Sequence, residues 1–232
     1  MKLTKYGIRE WLGSGIIAII LLAATITAAI TFNYPVLGWT LSSVIIVIWL
    51  AIAAFFRLPV RKIPQAPELI VSPADGVVRD IELIKDDEIE FFKGQSMVRV
   101  GIFLSVLDVH VNRAPADMKV EYKKYRKGKY LDARHSNASK ENEAMTIAGT
   151  ANVCGKEFPI GVKQISGAIA RRIVCQVEPG DSLEKGYVYG MIKFGSRTEL
   201  YLPATKDITL NVKVGDRVYS GSTVMATLAK TS

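Results

Sequence analysis

Two stretches near the start of the chain carry no charge: Gly15 to Phe32 and Val36 to Phe56. They are 18 and 21 residues long. At about 1.5 Å per residue, helices of that length reach ~27–32 Å, the thickness of a bilayer's hydrocarbon core. Neither shows the polar stripe of a helix packed on a soluble core. The link between them, Asn33-Tyr34-Pro35, is short and turn-forming, so the pattern predicts a helical hairpin. A second apolar span follows the first at once, which argues against a removed signal peptide.

Residues 58–67 (LPVRKIPQAP) hold three prolines and no apolar period, as a linker would. Beyond them the pattern changes to short runs rich in Val, Ile, Tyr and Thr, separated by Gly, Asp or Pro. Strands are expected over Leu69–Val78, Met97–Leu104, Ile169–Val177 and Thr209–Leu228. No long 3.6-residue period occurs after residue 64, and short helices are expected only around Ser105–Val111 and Lys140–Met145. The expected fold is a mainly β (α+β) soluble domain over 64–232, preceded by a two-helix transmembrane hairpin over 1–63. Ser72-Pro-Ala-Asp75-Gly76-Val-Val78 and Val214-Gly-Asp216-Arg217-Val218 are similar in style to the half-repeats of biotinyl and lipoyl carrier domains. That points to a β-sandwich.

Charge refines the picture. The formal net charge is +8, and residues 1–63 hold six Lys or Arg against Glu10, leaving only +3 for the rest. The basic excess therefore flanks the hairpin and calls for no nucleic-acid partner. Lys2, Lys5 and Arg9 precede the spans, and Arg57, Arg61 and Lys62 follow them. The positive-inside rule then puts both flanks, and everything beyond Ile63, on the cytoplasmic side of the cell membrane. Trp11 and Trp39 stand near span ends, where indole rings favour the interface. Cys154 and Cys175 have no metal-ligand spacing and read as free thiols in a reducing compartment. The basic run Glu121–Lys129 is either a solvated face or a contact with lipid headgroups.

The candidate chemistry centres on Gly195-Ser196, set between the apolar runs of Tyr189–Pro203. The chain also holds Ser72-Pro-Ala-Asp75-Gly76, Asp108-Val-His110-Val-Asn112-Arg113-Ala-Pro115 and Arg134-His135-Ser-Asn137-Ala-Ser-Lys140-Glu141-Asn142-Glu143. In this order and spacing the set resembles the short type of phosphatidylserine decarboxylase proenzyme, from residue 58 to about 228. The resemblance implies self-cleavage at Gly195-Ser196 into a β chain, 1–195, and an α chain, 196–232, which stay together and can oligomerise further. It implies that Ser196 becomes a covalent pyruvoyl group, with no metal. The amine of phosphatidylserine would form a Schiff base with that group, lose CO₂ and leave as phosphatidylethanolamine.

The chemistry explains the residue types. A serine hydroxyl held against the preceding carbonyl can turn the amide into an ester. Elimination then releases the upstream carboxylate and leaves dehydroalanine, which hydrolyses to pyruvoyl and ammonia. Glycine before the serine offers least resistance to a strained turn, and a base must activate the hydroxyl. The chain has two histidines, His110 and His135, and both fall inside the matched motifs. His110 matches the histidine linked to decarboxylation in the long-type pattern His-x-x-His, but Arg113 stands where that pattern has its second histidine. His110 serves both steps, or His135 or Asp75 acts as the base in self-cleavage. Arg113 and Asn112 are candidates for substrate binding. Two other readings remain: decarboxylation of another serine phospholipid, such as an archaeal ether lipid, or a membrane-tethered lipoyl-like adaptor without catalysis.

Overall fold

A computed structural model describes residues 2–85, 89–135, 137–168, 172–193 and 195–229. The chain divides into two compact units, Met1–Pro59 and Val60–Ser232.

The first unit holds β1 (Lys2–Leu3), α1 (Ile8–Thr31), α2 (Pro35–Phe55) and β2 (Arg57–Leu58). Pro35 opens α2 at its first turn, where its missing N–H leaves no bond unmade. The turn before it puts Asn33 at φ 55°. Small residues let the two helices approach closely: a Cβ on Gly38 would lie 2.4 Å from the Cβ of Ala29. Trp49 Nε1 donates to the Trp11 carbonyl at 3.3 Å, which ties the open ends together. Ile17, Ile20, Val44 and Ile48 face outward and exposed. Both helices are long and apolar enough to cross a membrane.

The second unit is β-rich. Its elements are β3 (Leu69–Val71), β4 (Gly76–Lys85), β5 (Ser96–Leu104), β6 (Val111–Arg113), β7 (Met118–Arg126), α3 (Ala138–Glu141), β8 (Ala144–Val153) and β9 (Lys156–Ser166). There follow β10 (Ile173–Cys175), β11 (Ser182–Leu183), β12 (Val188–Ile192), β13 (Ser196–Pro203), β14 (Ile208–Leu210), β15 (Arg217–Val218) and β16 (Val224–Leu228). An eight-stranded antiparallel sheet runs β11-β7-β8-β9-β13-β5-β4-β15, and two three-stranded sheets run β10-β12-β6 and β14-β16-β3. The main core joins Val78, Ile102, Leu104, Val162, Leu200 and Leu202 of the large sheet to Ile70, Tyr189, Met225 and Leu228 of the small ones. A smaller cluster around Phe92, Met97 and Tyr201 holds the opposite face of the large sheet.

Several sequence expectations change. The apolar runs at Leu69–Val78 and Thr209–Leu228 break into separate strands, the first at Ser72-Pro73, where the Ser72 hydroxyl donates to the Ala74 carbonyl at 2.7 Å. Ser105–Val111 is not a helix. Asp108 N–H donates to the Ser105 carbonyl at 2.9 Å, and Ser105 N–H donates to Asp108 Oδ2 at 2.8 Å. The aspartate thus closes a turn instead of continuing a helix. The helix expected at Lys140–Met145 lies slightly earlier, at Ala138–Glu141, and β8 begins at Ala144. Of the strand expected over Ile169–Val177, Ile169 to Arg171 lie outside the described residues, and the pairing covers Ile173–Cys175.

Candidate active site

Ser196 opens β13, a strand paired on both sides: Ser196 stands opposite Leu104 of β5 and opposite Ser166 of β9. Side chains alternate along a strand. Ser196, Thr198, Leu200 and Leu202 therefore share the core-facing side, while Arg197, Glu199 and Tyr201 share the other. Ser196 is fully buried, and its Oγ has no hydrogen-bond partner among the described residues. The same is true of the Ser166 Oγ across the strand pair. Directly opposed side chains in an antiparallel pair have Cβ atoms about 4.5–5.5 Å apart. A buried hydroxyl without a partner costs about 1–3 kcal/mol, so two of them as neighbours set this part of the sheet apart from the rest of the core.

The residue before Ser196 is held on both its polar groups. Gly195 sits at φ 63°, the left-handed region that glycine enters without strain. Its N–H donates to His110 Nε2 at 3.1 Å. The other ring nitrogen, Nδ1, lies 2.9 Å from the Asp108 carbonyl oxygen. A carbonyl can only accept, so Nδ1 carries the proton and Nε2 turns its lone pair toward Gly195. The Asp108 carboxylate is fixed in turn by the Ser105 N–H and by Arg217. The Gly195 carbonyl packs on Gly167: a Cβ there would lie 2.4 Å from the oxygen and 3.1 Å from the carbon. Only a glycine at position 167 leaves room for that carbonyl.

The other sequence candidates occupy different surroundings. Asp75 is buried, with Arg61 at 2.5 Å from Oδ2 and the Ser220 N–H donating to Oδ1 at 2.8 Å. Arg113 donates to the Gly186 carbonyl at 2.8 Å. Burial first, and the neighbouring Arg61 next, push its guanidinium below the usual range, with Asp75 opposing. Asn112 is fully buried and bridges sheets: its Nδ2 donates to Thr198 Oγ1 at 3.0 Å, and its Oδ1 accepts from Gln164 Nε2 at 2.8 Å. His135 is exposed, and its Nδ1 accepts the Asn137 N–H at 3.2 Å; Ser136 between them lies outside the described residues. It lines a polar cavity of about 350 Å³ with Arg79, Asp80, Glu82, Arg99 and Arg197, on the side of the sheet that Arg197 faces. The structure thus brings His110 to the Gly195-Ser196 junction. No hydrogen bond joins Asp75 or His135 to Ser196 among the described residues.

The family model described as phosphatidylserine decarboxylase matches residues 50–226. The chain belongs to the phosphatidylserine decarboxylase family. A phosphatidylserine decarboxylase proenzyme of Carboxydothermus hydrogenoformans is 46% identical over 189 residues, 82% of this chain and 85% of the relative. The proenzyme of Rhodopirellula baltica is 40% identical over 81% of this chain and 76% of its own length. That of Geobacter sulfurreducens is 38% identical over 93% of this chain and 94% of its own length.

In this member of the decarboxylase family, the side of β13 away from the Ser196 hydroxyl is locked by charge. Glu199 is fully buried: Oε1 meets Arg197 Nε at 2.8 Å, and Oε2 accepts from Tyr201 Oη at 2.8 Å and Ser139 Oγ at 3.0 Å. Arg197 also grips Asp80 of β4 with two bonds of 2.7 Å, reaching across β5. These bonds pin the strand that begins with Ser196. Sequence reasoning missed Ser166, Gly167 and this network. The only local hint of the first two is a Ser-Gly pair at the end of an apolar run. Lys123 and Arg126, read from sequence as a basic face, are engaged by Glu178 at 2.6 Å and by the Ser139 carbonyl at 2.7 Å.

Proposed function

We propose that this protein decarboxylates phosphatidylserine to phosphatidylethanolamine, using a pyruvoyl group made from its own Ser196. The observation that carries the reading is the junction itself. A buried serine hydroxyl without a partner follows a left-handed glycine whose N–H rests on His110 and whose carbonyl rests on Gly167. The residues fit the group: Ser196 is fully buried, and Ser166 adds a hydroxyl opposite the place where the new carbonyl would stand.

In self-cleavage the Ser196 Oγ attacks the Gly195 carbonyl carbon, and its proton passes to the amide nitrogen that leaves. Loss of the Ser196 α-proton then breaks the Cβ–O bond and frees the Gly195 carboxylate, the end of a 195-residue chain. Water converts the remaining dehydroalanine to the ketone and ammonia. His110 Nε2 offers a basic lone pair beside the scissile bond, on the Gly195 N–H, and the Ser166 hydroxyl is a neighbour able to pass a proton across the strands. Once formed, the pyruvoyl carbonyl supplies an electron sink beside the carbon that loses CO₂. His110 then holds a proton at Nε2 for that carbon, and the Asp108 carbonyl keeps the ring turned toward it. Asn112 acts by position, tying β6 to β13, and Arg113 anchors the end of β6 through the Gly186 carbonyl. Asp75 holds Arg61 and the turn at Ser220 together.

The two apolar helices carry the enzyme in the cell membrane, and the basic flanks put the catalytic domain on the cytoplasmic side. Intact mass of the purified protein tests the reading. Two polypeptides are expected, 1–195 and a 37-residue piece with a blocked N-terminus, and a single uncut chain for Ser196→Ala. A preparation that releases CO₂ from phosphatidylserine as one intact 25.5 kDa chain would refute it.

A further inference from the structure

The turn between β5 and β6 ends in two exposed apolar side chains, Val106 at 46% and Leu107 at 84%. Its neighbours on both sides are buried: Leu104 closes the core, and Asp108 is 3% exposed. The turn is rigid, because the Asp108 carboxylate and N–H both bond Ser105 and Arg217 grips the carboxylate from outside. Leu107 is therefore held out in water by a braced support. Val106 supplies the nearest atom to the open side of Gly195, 3.9 Å from where a Cβ would be. The tip thus stands beside the Gly195-Ser196 junction.

The same face has a cationic and aromatic border. The Arg217 guanidinium lies 5.9 Å from the centre of the Tyr219 ring, and Arg61 lies 5.3 Å from it. Tyr219 is 43% exposed. Val60, where this unit begins and joins the apolar hairpin, is 90% exposed and next to Arg61. An apolar point, an exposed tyrosine and the half-exposed Arg217 on one face match the layers of a bilayer surface: acyl chains, interface and phosphates.

We propose that the Val106–Leu107 turn is a lipid-insertion tip, which seats the domain on an anionic bilayer with the Gly195-Ser196 junction at the headgroup level. The partner is the bilayer surface. This rests on the decarboxylase reading for its purpose, the delivery of a headgroup to a buried serine. The contact itself can be tested without that reading.

The full chain is reconstituted in vesicles of equimolar phosphatidylcholine and phosphatidylglycerol. Single cysteines at Leu107→Cys or Leu83→Cys, in a background where both native cysteines are replaced (Cys154→Ser, Cys175→Ser), carry a polarity-sensitive fluorophore. Leu83 is 72% exposed and lies on β4 opposite Val98, far along the strands from the turn. A blue-shifted label at position 107 with a water-like label at 83 supports the proposal. Equal, water-like labels overturn it. So does a shift at 107 that grows with protein concentration in detergent alone, which would assign the tip to a second copy of the chain. In the activity arm, Leu107→Ser should lower turnover of vesicle-embedded phosphatidylserine about tenfold, since a leucine is no longer removed from water. Self-cleavage and turnover of a short-chain, monomeric phosphatidylserine should be retained. Equal losses on both substrates would make the turn part of the site rather than a docking tip. If the unsubstituted chain stays uncut and releases CO₂ from neither substrate, the functional reading falls, and the fluorophore still decides the contact.

Discussion

His110 Nε2 receives the N–H of Gly195 at 3.1 Å, so the imidazole lone pair lies on the peptide unit just ahead of the bond expected to break. The geometry serves both steps, but they differ in what they demand. Self-cleavage happens once and tolerates a slow base, while each turnover must deliver a proton to carbon. His110→Ala should cleave over hours and lose about 10²–10⁴ in CO₂ release per α chain. Cleavage followed by gel and activity per cleaved chain would separate the two. An uncut variant would make His110 the base for Ser196, and full activity would make it structural.

Gly167→Ala should leave the proenzyme uncut, or slow its cleavage at least about tenfold. The added methyl would meet the Gly195 oxygen at 2.4 Å and displace the carbonyl that Ser196 must reach. Any fraction that does cleave should turn over normally, because the carbonyl's position no longer matters after the bond is cut. Unchanged cleavage kinetics would show that the backbone adjusts and that the close packing has no catalytic role.

Glu199 supports the start of β13 and should do so in a pH-dependent way. Burial alone would raise its carboxyl, but Arg197, then Lys163 and Arg99, together with the Tyr201 hydroxyl, outweigh burial and hold it below the usual range. A carboxylate depressed in the folded state contributes stability above its unfolded value of about 4.3. That stability is lost as the pH falls through the lower folded value. Glu199→Gln should therefore cost about 3–5 kcal/mol at neutral pH, from guanidinium groups left without their buried partner. The gap to the parent should narrow toward pH ~3. Urea unfolding of the detergent-solubilised chain at both pH values measures it. An offset independent of pH would contradict the electrostatic origin.

Reporter fusions at Tyr34 and at Ile63 should report opposite sides of the membrane, with Ile63 cytoplasmic. The basis is six basic residues flanking two uncharged spans. Matching signals would leave the helices as a surface anchor.

The sequence by itself determined the features that local chemistry writes down. Two uncharged spans long enough for a bilayer can only be helices there, because every backbone group must be bonded within the segment. The Val, Ile and Thr runs marked β5 and β13, and the motifs singled out Ser196 and His110. It did not mark β7, β8 and β9. Gly149, Gly161 and Pro159 lower the strand signal there, and the β8–β9 turn is Cys154-Gly155, with Cys154 at φ 54°, instead of an Asn-Gly pair. Those strands become strands because neighbours bury them, which is information from across the sheet. The same holds at the site. Register alone sets Ser166 against Ser196, thirty residues apart, and brings Gly167 onto the Gly195 carbonyl. Contacts between loops, also invisible in the local pattern, bring Asp75 to Arg61 and Ser220 and set His135 in the cavity on the side of the sheet that Arg197 faces. A strand's pattern says which residues share a face, but only pairing says which residues on other strands they meet.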